Sequence, residues 1–153
     1  LYVVLCRARE LRPMDFSALS GLGGGSEGQG GTSDPYARLH IVRGVGEGAR
    51  VLDGRAGEHK SEIKYKELNP VWRERAAFEC ADPDAHLEVT VSDYDLIGDD
   101  DFMGRCYARL GDLEDRVPRR VWHTLGDEGE GRDGEEEQGG SKTAVTDRGN
   151  PAD

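Results

Sequence analysis

Residues 87 to 104 read LEVTVSDYDLIGDDDFMG. Leu87, Val89 and Val91 alternate with Glu88, Thr90 and Ser92, the period of two that a half-buried strand requires. The strand then runs into Asp93, Asp95, Asp99, Asp100 and Asp101, five aspartates within nine positions. Like charges this close repel, and folding gains nothing from them. A hard divalent cation does gain, because Ca2+ takes about 6–8 oxygen ligands, many of them carboxylates. The spacing Asp93-x-Asp95 puts two carboxylates on the same side of an extended backbone, and Asp101 can return from the far limb of the loop. A solvated acidic turn is the competing reading of the stretch taken alone. An EF-hand is not: its fifth position is Ile97, its twelfth is Gly104 instead of the bidentate Glu, and the flanks read as strands.

The rest of the chain bounds what such a loop can serve. With 153 residues there is room for one domain with a real core. The net charge is -11, and the stretch from Gly126 to Asp153 holds nine acids against Arg132, Lys142 and Arg148. That balance argues against nucleic acid as a partner, since such binding neutralises phosphates. It equally argues against attraction to anionic lipid by net charge alone, so a lipid-binding surface would first need its sign reversed. Cys6, Cys80 and Cys106 are odd in number and fall in strand-like runs, the pattern of reduced, packed thiols in a cytoplasmic setting. No stretch approaches the roughly 20 apolar residues of a membrane span. The chain opens at Leu1 inside a strand, as expected of a piece of a larger protein. His40, His59, His86 and His123 show no triad or metal-ligand spacing and no nucleophile sits in a recognisable setting, so catalysis is not expected.

Working outward, the same period recurs. Leu1, Val3 and Leu5 share a face and lead to a turn at Arg12-Pro13. Residues 17–33 hold seven glycines and read as a flexible insertion, as do residues 44–57. Tyr36 to Val42 alternate as a strand. Lys60, Glu62, Lys64 and Lys66 oppose Ser61, Ile63 and Tyr65, which predicts a strand with three lysines on its polar face. Leu68-Asn69-Pro70 is a turn before a strand carrying Trp72, Ala76 and Phe78. Cys106, Ala108 and Leu110 mark another strand, and Val121 to Leu125 the last evident one; residues 126–153 read as an acidic, disordered tail or linker. Seven short strands without a convincing helix predict an all-β antiparallel sandwich.

The run L-x-V-x-L at Leu1, Asp15, SDPY at 33–36, LNPVW at 68–72, DxD at 93–95, Asp101 followed by Gly104, and Trp122-x-x-Leu125 together resemble a C2 domain over residues 1–125. The resemblance implies an eight-stranded antiparallel Greek-key β-sandwich. The eighth strand lies either outside this chain or in the weak run Thr143 to Thr146. It implies two or three Ca2+ ions held by Asp15, Asp34, Asp93, Asp95 and Asp101, with the backbone carbonyls of Met14 and Tyr94. Asp99 and Asp100 match no family ligand. The family's first-loop aspartates are usually close in sequence, whereas nineteen positions separate Asp15 from Asp34. A Gly-rich loop closes at a cost that grows slowly with length, so the pairing can survive.

What the resemblance implies in function is calcium-dependent binding to anionic phospholipid, as a peripheral, membrane-targeting module on the cytoplasmic side. Phe16, Leu96 and Ile97 match positions that insert into the bilayer; the plainer alternative is that they cover the loop bases. Lys60, Lys64 and Lys66 resemble a lysine-rich strand with which some members bind phosphoinositide headgroups, although Glu62 interrupts the patch and a solvated face explains it as well. The rival function is a calcium-independent scaffold, whose acidic loop meets a basic protein partner.

Overall fold

The structure is a computed structural model that describes residues 1–15, 31–52, 57–113 and 117–126, together with the backbone of 142–145. Phe16, the body of the first insertion and the remainder of the acidic tail lie outside these residues. Among the described residues nine strands form: β1 (Tyr2–Arg9), β2 (Pro35–Arg43), β3 (Arg50–Val51), β4 (Glu58–Lys60), β5 (Val71–Ala77), β6 (Ala85–Asp93), β7 (Asp101–Arg109), β8 (Trp122–Thr124) and β9 (Lys142–Val145). Helix among them is limited to 3-10 turns at Gly46–Gly48 and Leu110–Asp112.

These strands all pair antiparallel. One sheet has the order β5-β1-β9-β8; the other runs β3-β2-β6-β7, with β4 also on β2. β3 and β4 occupy successive stretches of one edge of β2, through Val42↔Val51 and then His40↔Glu58, so the second Gly-rich run interrupts an edge strand without ending it. The sandwich therefore has eight strand positions, as expected. Its core draws Val3, Leu5 and Trp72 from one sheet and Leu39, Ile41, Leu87, Val89 and Val91 from the other. Burial of these alternating residues is the main force that holds the layers together.

One open alternative is decided and one expectation is corrected. The eighth position is filled from within the chain: Lys142–Val145 pairs with β1 through Arg9↔Lys142 and Leu5↔Val145, and with β8 through Thr124↔Lys142. An inner slot between two strands satisfies the hydrogen-bonding groups on both flanks of a short segment, which is why four residues of weak propensity suffice. The predicted lysine strand, in contrast, ends at Lys60. Beyond it, Ser61, Lys64 and Glu67 donate N–H groups to the carbonyls of Ala37, Pro35 and Ser33, three residues of one chain for two of the other, so the segment bulges and regular pairing stops. Its free edge is claimed by the opposite sheet: Glu62 N–H donates to Glu74 Oε1 at 2.9 Å, and Trp72 Nε1–H donates to the Glu62 carbonyl at 2.9 Å.

Candidate functional site at the acidic end of the sandwich

Strand register gathers the aspartates. Along β6 the buried positions are Ala85, Leu87, Val89, Val91 and Asp93, so Asp93 continues the core-facing parity at the strand's end and is only 2% exposed. Pro35 pairs with Asp93 and Asp93 with Asp101, which brings the start of β2, the end of β6 and the start of β7 side by side. A bulge makes that alignment possible: Val91 pairs with Gly104 but Ser92 with Phe102. Gly104 is required there. Its φ is +148°, and a Cβ would lie 2.7 Å from Leu125 Cβ.

The first loop is closed at its base despite the insertion. Asp15 and Thr32 exchange N–H···O bonds of 2.9 and 3.2 Å, and the buried Ser33 hydroxyl accepts from Met14 N–H at 2.8 Å while donating to the Arg12 carbonyl at 3.0 Å. Asp15 is therefore held beside Asp34, and the length of the insertion does not separate them. Gly31 permits the closure, because a Cβ there would meet the Asp15 carbonyl oxygen at 2.5 Å. A second wall comes from the bulged segment: Lys66 N–H donates to Asp34 Oδ1 at 2.7 Å, with Lys66 itself at φ +54°. Asn69 fixes that wall by accepting from Glu10 N–H at 3.0 Å.

The charges act on one another. Burial raises the Asp93 carboxyl above its ordinary pKa; the Asp34 N–H on its Oδ1 opposes this, and the charges of Asp15 and Asp34 reinforce it. Partial burial raises Asp95 as well, with Asp101, Asp15, Asp100 and Asp34 adding to the effect. Asp93 and Asp95 thus sit in the field of the neighbouring acids. Among the described residues, however, no three acids, imidazoles or thiols are drawn into metal-holding geometry. The donor set is all oxygen and densely anionic, which fits a hard divalent cation and does not fit a thiolate- or imidazole-seeking one.

Sequence reasoning misses the roles of two residues at the site. Asp100 accepts the Tyr36 hydroxyl at 2.6 Å and the Asp95 N–H at 3.1 Å, bonds that hold its carboxyl below the usual range and brace the loop. Ser33, as above, pins the first loop. The signal for both lies in SDPY, whose serine and tyrosine are the two anchors. At the loop tip Leu96 and Ile97 are 84% and 91% exposed, so neither covers the loop base. Phe16 lies outside the described residues. The three lysines share no sheet face: Lys60 Nζ sits 4.3 Å from the centroid of the Tyr36 ring, Lys64 pairs with Glu62 at 3.1 Å, and Lys66 is in a turn. Cys6, Cys80 and Cys106 are all free thiols.

Comparison with known proteins agrees with this architecture. The chain is 33% identical over 151 residues to synaptotagmin-1 of Caenorhabditis elegans, an alignment covering 87% of this chain and 30% of that protein. The chain spans less than a third of the length of the curated relatives it matches. Among solved structures, a C2 domain of plant extended synaptotagmin 1 superposes with a TM-score of 0.66 at 22% identity, covering 94% of this chain and 88% of that one. A calcium-bound structure of two C2 domains of extended synaptotagmin 2 gives 0.63 at 22% identity, covering 95% and 44%. At that identity the likeness is one of fold. The model of the C2 domain family matches residues 1–125, and the chain belongs to that family.

Proposed function

We infer that this chain is a calcium-dependent membrane-targeting module of a larger protein, acting on anionic phospholipid at the cytoplasmic face and carrying no catalysis of its own. The observation that supports this most directly is spatial. Asp15, Asp34, Asp93, Asp95 and Asp101 converge at one end of the sandwich, beneath two large apolar side chains that are almost wholly exposed. A solvated turn explains the acids but not Leu96 and Ile97; a membrane site uses both.

The five carboxylates would hold Ca2+, whose chemistry when bound is to cancel their charge and offer open coordination positions to lipid phosphate or carboxylate oxygens. The carbonyls of Met14 and Tyr94 belong to the same ligand set. The chain's own residues supply the rest. Tyr36 and Asp100 keep the β6–β7 loop braced, Ser33 keeps the first loop closed, and Leu96 and Ile97, with Phe16, enter the apolar layer. The switch is one of sign, since the site that repels an anionic leaflet becomes neutral or attractive to it. Lys60 and Lys66, beside and on the adjoining wall, would add local positive charge, while Lys64 is paired with Glu62.

The test is cosedimentation with phosphatidylserine vesicles in Ca2+ and in chelator. The chain should pellet only with Ca2+, and Asp93→Asn/Asp95→Asn should abolish pelleting while leaving the circular dichroism spectrum intact. A folded chain that stays in the supernatant under both conditions would sink the reading.

A further inference from the structure

The sheet β5-β1-β9-β8 has a charge pattern opposite to that of the whole chain. Its strands carry Arg7, Arg9, Arg73, Arg75 and Lys142 and one acid, Glu74, in a protein of net charge -11. Glu74 is turned toward the other sheet, where its Oε2 lies 2.9 Å from His59 Nε2 and its Oε1 receives Glu62 N–H. Arg7, Arg9, Arg73 and Arg75 are exposed. Arg75 pairs with Val4, which lies between the core residues Val3 and Leu5 and so faces outward with its partner. The guanidinium groups of Arg9 and Arg7 lie 4.5 and 5.4 Å from the centroid of the Trp122 ring.

The opposite sheet treats its arginines differently. Four of its five strand arginines have an acid partner, Arg38 with Glu58, Arg43 with Asp82, Arg105 with Glu88 and Arg109 with Asp84, and only Arg50 at the edge has none among the described residues. No ion pair involves Arg7, Arg9, Arg73 or Arg75 among the described residues. Among the described residues, then, four arginines of a strongly acidic chain form a positive surface on this sheet. Stacking on Trp122 orders two of the guanidiniums and leaves their N–H edges free for bidentate bonds to carboxylates.

We propose that this face docks a carboxylate-rich segment of another protein. A bilayer is the poorer fit. From Val4 to Arg9 the face runs about 17 Å along the strand direction, while charge is screened over about 8 Å, so a membrane touching Leu96 and Ile97 meets one end of the face only. Nucleic acid is poorer still, because a long polyphosphate would feel the net negative charge of the whole domain. A short acidic segment laid along the strands meets only the local positive field. This surface is independent of the calcium reading.

The test titrates the full chain into fluorescein-labelled octaglutamate and follows fluorescence anisotropy. The peptide should bind, more weakly as salt rises. Arg9→Gln/Arg75→Gln should weaken binding by about tenfold or more, Arg9→Lys/Arg75→Lys should retain most of it, and Arg50→Gln on the opposite sheet should leave it unchanged. Several results overturn the proposal. No anisotropy change does so outright, and so does equal weakening by Arg50→Gln, which signals general charge attraction. Loss of phosphatidylserine vesicle capture without loss of peptide binding in Arg9→Gln/Arg75→Gln assigns the face to lipid. Peptide binding that emerges only when Glu135, Glu136 and Glu137 are changed to Gln assigns it to the chain's own acidic segment.

Discussion

At the residue scale, position within a strand decides chemistry. Asp93 is a core-parity residue that happens to stand where the core meets the loops, and burial there raises its carboxyl above the ordinary value. Cys106 occupies an equally buried position deeper in the sandwich, where burial pushes its thiol up to about 12, with the charge of Glu88 adding to the effect. Two outcomes follow from the linkage of pKa to stability. The folded chain keeps this thiol protonated where the unfolded chain ionises it, from an ordinary value of 9.0 upward. The contribution to stability is therefore complete below that value and is lost as pH rises toward about 12. Burial raises Tyr36 and Tyr107 too, so they act in the same direction. Urea unfolding at a series of alkaline pH values should show a falling midpoint, less steep in Cys106→Ser. Thiol titration of the native chain at pH 8 should label Cys6 and Cys80 while Cys106 waits for denaturant.

At the element scale, the least conspicuous strand has the largest consequence. β9 is four residues long, yet it completes the ladder of β1 on one side and β8 on the other. Removing it leaves two hydrogen-bonding edges bare next to the core, an arrangement that invites aggregation. A chain ended after Gly126 should therefore melt at least about 10 °C below the full chain and elute partly as oligomers. Equal melting points would show that β9 contributes nothing. The acidic end is also assembled from elements: the bulge at Gly104, the Asp15–Thr32 pairing and the Ser61–Glu67 segment each fix one wall. The lysine strand is misread from sequence because alternation reports parity but not the partner, and here the partner strand β2 and the side chains of Trp72 and Glu74 bend the segment away.

At the scale of the whole molecule, polarity runs in two directions. Along the strands, one end carries the carboxylates and the exposed apolar tip; across the layers, one face carries four arginines without an acid partner among the described residues, whereas the other pairs Arg38, Arg43, Arg105 and Arg109 with acids and leaves only Arg50 without one. On the proposed function, the first axis would orient the domain on a membrane surface. Leu96→Asn/Ile97→Asn should lower vesicle affinity by about tenfold or more, since each apolar side chain removed from water contributes about 1.5–3 kcal/mol. Calcium binding followed by calorimetry should be unchanged in that variant, because neither side chain is a ligand. Vesicle binding at wild-type strength would mean that the tip does not enter the bilayer. On the two proposals together, the second axis would leave a flank open to protein while the tip meets a membrane, so that one module joins the two.

The sequence by itself determined the architecture and the composition of the site. Strict alternation at Leu87, Val89 and Val91 and at Val3 and Leu5, a run of aspartates with no folding purpose, and the order SDPY, LNPVW, DxD were enough, because parity and ligand chemistry are local properties of the chain. Only the tertiary structure decided which aspartates are neighbours, that Asp15 is held beside Asp34 across its insertion, that Asp100 is a brace, and that the missing strand comes from the tail. Those depend on register between segments far apart in the chain. A weak four-residue run such as Lys142–Val145 has no strand identity until two other strands offer it their edges.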